Sequence, residues 1–238
     1  GSTELTKRAF HIAAQGKPDV VPCRRFRRIL DIGCGPGAQS LVLAELTDAD
    51  IYAVDTHQPF LERLGHEAFG RGIAGRVFPL HADMNDLPFE PDYFDLIWSE
   101  GAAYIIGFEK ALRTWRPLLK EEGRIALTEI CRLEGIPPDE AERYWNAEYP
   151  AMTGCARNAE LLERSGYSLI DTFVLPESTW WDEYYTPLEE RISELEKKYR
   201  DDPEPLELLT REKEEIDLYR KFSDYYGYAF YIAEKTGA

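Results

Sequence analysis

The chain has 238 residues, 44% of them hydrophobic and 30% charged, a composition that buries a sizeable core and needs neither disulfides nor a structural metal. Lys and Arg number 28 against 44 Asp and Glu, for a net charge of −16. Such a field repels phosphate backbones and anionic headgroups, which argues against nucleic acid and membrane surfaces as partners.

The elements follow in chain order. Residues 1–27 are expected to be an N-terminal helical segment ahead of one domain spanning 28–238. The run Arg28–Ile32 reads as a first strand ending at a glycine cluster, with a helix around Ser40 to Leu46 and a second strand from Ile51 to Asp55. A helix from Phe60 to Arg71 leads to strands at Arg76–His81 and Tyr93–Trp98, and Gly107 to Leu119 is helical again. Gly123 precedes a fifth strand, Arg124–Ile130. Pro137-Pro138-Asp139-Glu140 opens a helical region with acids in its first turn, and Ala156 to Arg164 is a further helix stopped by Gly166. β-type runs at Ser168–Leu175 and Tyr226–Ala233 are separated by about fifty residues. That interval, about 177–224, is rich in Glu, Lys, Arg and Leu at helical spacing; it reads as a solvated helix pair or as a lid. Strands alternating with helices predict an α/β, doubly wound parallel sheet.

No apolar run approaches the ~20 residues of a membrane span. Cys23, Cys34, Cys131 and Cys155 form no CxxC pair, and nothing at the N-terminus reads as a signal, so the expectation is reduced thiols in a cytoplasmic protein. Gly1-Ser2 reads as a tag remnant. His57, His66 and His81 lack ligand spacing, and no metal is expected.

The informative segment is Asp31-Ile32-Gly33-Cys34-Gly35-Pro36-Gly37-Ala38, between a strand and a helix. Glycines allow a tight turn and close backbone approach, and the helix behind them presents free N–H groups. Asp55, at the end of the second strand, can accept bonds from both hydroxyls of a ribose. Asp83 can accept from an adenine amino group and Met84 can pack on its ring. Each feature alone also fits an ordinary turn or strand end, but ligands bind at successive strand ends in this architecture. The loop formally satisfies the dinucleotide pattern G-x-G-x-x-A as well. Asp31, two residues before the first glycine, disfavours a pyrophosphate and favours a ligand bearing an ammonium group.

These residues resemble the class I S-adenosylmethionine-dependent methyltransferases, whose motif acid-x-G-x-G-x-G is here Asp31 through Gly37. Asp55, Asp83-Met84 and Tyr93–Trp98 match in order and spacing, over roughly Arg28 to Ile130. The run Leu96 to Ala102 with Tyr104, Gly107-Phe108-Glu109 and Tyr225-Tyr226-Gly227-Tyr228 is similar to small-molecule methyltransferases related to those of ubiquinone and menaquinone biosynthesis. The resemblance implies seven strands with the last antiparallel, and a helical insertion between strands six and seven. It implies that Gly33, Gly35 and Gly37, with Cys34, line the methionine and ribose of S-adenosylmethionine. It places Asp31 near the ammonium group, Asp55 and Thr56 at the ribose, Asp83 and Met84 at the adenine, and Ser99 where cofactor meets substrate. S-adenosylhomocysteine would be the product.

Methyl transfer needs mainly orientation, which can correspond to effective molarities of roughly 10⁵–10⁸ M, so no dedicated base is obligatory. If a proton must leave the acceptor, Glu100, Glu129, Tyr104 or His11 could receive it. The Asn/Asp-Pro-Pro-Tyr/Phe run of nucleobase and protein amino-methyltransferases is replaced here by Ser99-Glu100-Gly101-Ala102, and Ile136-Pro137-Pro138-Asp139 is not such a motif. Scattered cysteines give no metalloid site. Trp145, Tyr149, Trp180, Trp181, Tyr184 and Tyr185 suggest an apolar roof suited to a planar, hydrophobic or cationic acceptor. The expectation is a small-molecule methyltransferase, monomeric or homodimeric; the alternatives are a nicotinamide-dependent oxidoreductase and a non-catalytic S-adenosylmethionine-binding protein.

Overall fold

The structure is a computed structural model that describes residues 2–15 and 26–237; Gly1 and Cys23, with the readings placed on them, lie outside the described residues. Seven strands form one sheet in the order β3-β2-β1-β4-β5-β7-β6. They are β1 (Arg28–Ile32), β2 (Asp50–Asp55), β3 (Val77–His81), β4 (Phe94–Ser99), β5 (Leu119–Arg132), β6 (Tyr167–Val174) and β7 (Tyr226–Lys235). The first five run parallel, and β7 is antiparallel to both β5 and β6.

β1 and β4 lie at the centre, and their residues read as near-continuous apolar runs because helices cover both faces. Ile29, Leu30, Ile32, Leu96, Ile97 and Trp98 are each 0% exposed. One face carries α1 (Thr3–Gln15), α2 (Ala38–Leu46) and α3 (Gln58–Gly70); the other carries α4 (Phe108–Trp115) and α6 (Cys155–Arg164). α1 buries Thr6, Ala9, Phe10, Ala13 and Ala14 at helical spacing, and the buried Arg124 guanidinium donates to the Ala13 carbonyl.

β5 begins five residues earlier than the expected Arg124. Leu119 pairs with Phe94 and Arg124 with Leu96, so Lys120 to Gly123 loop outward between them. Glu122 there adopts φ 57. Local pattern cannot show this, since the polar Lys-Glu-Glu-Gly stretch looks like a turn until the β4 register is known.

Between β6 and β7 the chain forms α7 (Glu177–Trp180), one π-helical turn (Trp181–Tyr185), α8 (Thr186–Lys198) and α9 (Pro203–Phe222). With α5 (Asp139–Glu148) these helices enclose a third apolar cluster at the C-terminal end of β5 and the start of β7. Trp180 is its centre, with ring centroids 4.6 Å from Tyr219, 5.0 Å from Tyr228 and 5.4 Å from Tyr185. The helices between β6 and β7 therefore have their own core on one side; on the other they pair acids with bases, as in Glu196–Lys213 and Glu189–Arg220.

The expectation of four reduced thiols is corrected. Cys131 and Cys155 form a disulfide, their Cα atoms 5.5 Å apart. The end of β5 bridges to Gly154 through Arg132, which brings together two cysteines 24 residues apart in sequence. Cys34 is free and buried. No helix among the described residues is long and apolar enough to cross a membrane.

Candidate active site

After β1 the chain turns through Gly33, Gly35 and Gly37 at φ 71, 53 and 90, backbone that L side chains rarely adopt. The Gly33 and Cys34 N–H groups both donate to the Val54 carbonyl, at 2.8 and 3.0 Å, which ties the loop to β2. A Cβ on Gly33 would meet the Ala102 Cβ at 2.3 Å, and one on Gly37 would meet Leu64 Cδ1 at 2.3 Å; at Gly35 nothing among the described residues lies within 4 Å. Packing thus demands two of the glycines, while Gly35 borders open space that a ligand can enter.

Carboxylates surround this edge. The Asp55 Oδ2 accepts from Gly35 N–H at 2.9 Å and its Oδ1 from His57 N–H at 2.8 Å, leaving each oxygen a lone pair for a further donor. Asp31 is 1% exposed and accepts from the Ser40 hydroxyl at 2.5 Å. Burial pushes its pKa up to about 7, against the Ser40 bond and with help from Glu100 and Asp55. Glu100 Oε1 accepts from Thr6 at 2.7 Å and from the Trp98 indole at 2.9 Å, so it anchors α1 at the end of β4. Its Oε2 is buried and makes no hydrogen bond of ordinary geometry among the described residues, with the Gln39 side chain nearby; burial pushes the acid's pKa up, and Thr6, Trp98 and Gln39 oppose the rise. A buried carboxylate oxygen without a donor of ordinary geometry is costly, and it fits a ligand that brings an ammonium group to this crevice.

Other expected contacts are placed as follows. Asp83 Oδ1 accepts from the backbone and side-chain nitrogens of Asn85, at 2.8 and 2.9 Å, which holds its pKa below the usual value. Met84 offers its carbonyl to the Trp115 indole at 2.9 Å and packs partly buried beside the loop. Thr56 is exposed next to Asp55. Ser99 is fully buried and donates to the Ile32 carbonyl at 3.0 Å, stitching β4 to β1 with no surface left for a ligand. Cys34 is 3% exposed, and burial, then the charges of Asp31 and Asp55, push its thiol pKa up.

Beyond Gly101, whose N–H is held by the Thr128 hydroxyl at 2.8 Å, a cavity of about 470 Å³ opens beneath the helical cover. Of the six aromatic residues expected to roof it, Trp145, Tyr149, Trp180 and Tyr184 line it. Trp181 and Tyr185 do not. Tyr185 is 0% exposed and donates to Glu215 at 2.8 Å, while Trp181 sits 5.0 Å under the Arg220 guanidinium. The π turn carries both residues on its far side, a placement that no 3.6-residue spacing foretells.

Tyr104 lines the cavity from a short 3-10 turn, its ring 6.1 Å from Tyr149. Glu129 stands behind the wall, 2% exposed, accepting from the Tyr149 hydroxyl at 2.7 Å, with Oε2 buried and unpartnered among the described residues. Burial pushes its pKa up to about 8, opposed by the Tyr149 bond. His11 is exposed on α1 and does not line the cavity. Sequence reasoning missed Tyr144, Glu148, Glu183 and Glu215, which do; as acids and a ring on charged helices they carry no local signal.

A protein-family model described as a methyltransferase domain matches residues 30–127, the stretch from within β1 through most of β5. The chain has the class I methyltransferase fold. It is similar to a 27-O-demethylrifamycin SV methyltransferase of Amycolatopsis mediterranei, with 28% identity over 109 residues, 45% of this chain and 40% of that one. Against the ubiquinone/menaquinone biosynthesis C-methyltransferase UbiE of Yersinia enterocolitica it is 33% identical over 113 residues, 46% of this chain and 45% of the relative. The matched stretches thus span less than half the length of either relative. Among solved structures, a methyltransferase of Geobacter sulfurreducens in complex with S-adenosylhomocysteine superposes with a TM-score of 0.77 at 18% identity, covering 96% of this chain and 98% of that one. The strands and helices of this methyltransferase fold extend past the matched stretch, through β7.

Proposed function

We propose that the protein is an S-adenosylmethionine-dependent methyltransferase acting on a small-molecule acceptor in the cavity beneath the helical cover. The observation that carries this reading is the conjunction, at one sheet edge, of the open crevice at Gly35 with Asp31, Asp55 and the buried Glu100 oxygen that makes no hydrogen bond of ordinary geometry among the described residues. Asp31 and Glu100 would hold the ammonium end, Asp55 the ribose, and Met84 the adenine face. Three acids suit a cationic ligand and oppose the two phosphates of a nicotinamide dinucleotide.

When bound, S-adenosylmethionine supplies a methyl carbon whose bond to sulfur breaks, its pair remaining on sulfur, as the acceptor's lone pair attaches. The chain's own contribution is to hold the acceptor in line and keep water out. The cavity of about 470 Å³ lies within the range of ligand pockets. Glu129 is the best-placed acceptor for any departing proton, since Tyr149 joins it to the cavity wall. Tyr104, on the opposite turn, orients the acceptor. Glu100 moves from the proton-acceptor role expected of it to the cofactor end, because its bonded oxygen is committed to Thr6 and Trp98.

Calorimetric titration with S-adenosylhomocysteine and, separately, with NADH tests the crevice. Binding of the first and not of the second is expected, with Asp55→Ala weakening it at least ~10-fold, ~1.4 kcal/mol. Undiminished affinity in that variant, or preference for NADH, would overturn the assignment. Turnover of methyl-labelled S-adenosylmethionine with a metabolite panel then separates an enzyme from a non-catalytic binder.

A further inference from the structure

The cavity carries more negative charge than methyl transfer to an arbitrary acceptor requires. Rings from Tyr104, Tyr144, Trp145, Tyr149 and Trp180 form much of its wall, and Glu148, Glu183 and Glu215 stand among them, from α5, the π turn and α9; no Lys or Arg among the described residues lines it. Elsewhere on α5 and α9 acids are neutralised, as in Glu140–Lys221 at 3.1 Å and Asp217–Arg220 at 2.6 Å. Glu148, Glu183 and Glu215 form no ion pair among the described residues. Burial holds Glu215 above the ordinary carboxylate range, and its neighbours Glu212 and Glu148 add to the effect.

Glu129 adds a fourth acid from the opposite side. It is 2% exposed, one oxygen bonded to the Tyr149 hydroxyl and the other without a partner among the described residues, and its charge bears on Tyr104 and Tyr228, both wall residues. Aromatic faces carry negative potential and attract cations, most of all where water is excluded. Rings and carboxylates without ion pairs border one cavity, half-buried at Glu215 and open to water at Glu148 and Glu183, and they have a common complement. An anionic acceptor would be repelled by these acids, and a neutral one would draw no attraction from them.

We propose that the cavity selects a cationic amine, so that the methyl acceptor is an ammonium compound seated between the rings and Glu148, Glu183 and Glu215. The identity of this ligand as acceptor rests on the methyltransferase reading above; the charge preference of the cavity does not. An ammonium nitrogen must lose a proton before it has a lone pair to methylate, and the Glu129 carboxylate, reached through the Tyr149 hydroxyl, receives it.

The test uses the whole chain with S-adenosylhomocysteine present and reads the fluorescence of Trp145 and Trp180 in the wall. Benzyltrimethylammonium is titrated against its uncharged isostere neopentylbenzene and against the anion phenylacetate. The cation is expected to bind at least ~10-fold tighter than either, and Glu215→Gln to reduce that preference at least ~5-fold. Because Glu215 also accepts from Tyr185, Glu183→Gln, at an exposed position without a hydrogen bond among the described residues, serves as a second variant expected to lose ~2-fold or more. Equal binding of the three probes, or a preference that survives both substitutions, would overturn the proposal. S-adenosylhomocysteine binding with no charge preference leaves the transfer reading intact and removes this one. The opposite result leaves a cation site and removes the transfer reading.

Discussion

Gly33 and Gly35 share a left-handed backbone but differ in what surrounds them, so the same substitution at the two positions should fail in different ways. An alanine at either costs ~1–2 kcal/mol for the positive φ. At Gly35 that is the whole penalty, because the new methyl meets nothing within 4 Å among the described residues. At Gly33 the methyl arrives 2.3 Å from the Ala102 Cβ, and forcing apart a packed pair adds ~1–3 kcal/mol. For a chain of this size ~1 kcal/mol is ~2–4 °C in Tm. Gly35→Ala should therefore lower Tm by ~2–8 °C and Gly33→Ala by ~4–20 °C, read by circular dichroism. Ligand affinity should invert the order. The Gly35 methyl projects into the crevice, and its amide is the one bonded to Asp55, so S-adenosylhomocysteine binding should fall at least ~10-fold in calorimetry. If Gly35→Ala kept full affinity while Gly33→Ala lost it without unfolding, the crevice would not be where the adenosyl ligand sits.

The unliganded protein should lose stability as pH rises. Asp31 is protonated more readily when folded, its pKa raised from 3.8 to about 7, so its contribution is complete below pH ~4 and is lost as pH climbs to ~7; at ~1.4 kcal/mol per unit this amounts to at most ~4 kcal/mol. Glu129, raised to about 8, extends the decline by a further unit. Urea midpoints from pH 4.5 to 8.5 should fall, and Asp31→Asn should flatten the curve; a midpoint that rises with pH would refute the assignment of both acids. Thr6→Val should cost ~1–3 kcal/mol of stability, because it removes a donor to a buried carboxylate. An unchanged urea midpoint would mean that Glu100 does not anchor α1.

Much of the fold was legible because its signals are local. The apolar runs of β1 and β4, the glycines after β1, and the acids at the ends of β2 and β3 are each contiguous stretches whose chemistry depends on immediate neighbours. Strand ends drifted by a residue or more where pairing decides them, most clearly at β5, where Leu119 joins β4 ahead of the bulge. The glycine loop, Asp31 and Asp55 meet at one sheet edge because each closes a strand, whereas nothing in Ser99 or Glu100 announces that one faces Ile32 and the other clasps Thr6 from a helix ninety-four residues away.

By itself the amino-acid order determined an α/β sheet with a glycine turn flanked by acids, because hydrophobic period and backbone permissiveness act over a few residues. Only the tertiary structure decided that Cys131 meets Cys155, that Trp181 and Tyr185 turn away from the cavity, and that Glu148, Glu183 and Glu215 turn toward it. Those outcomes depend on how α5, α7, α8 and α9 settle over the sheet, and side chains sixty-seven residues apart share a wall only once packing has brought their helices together.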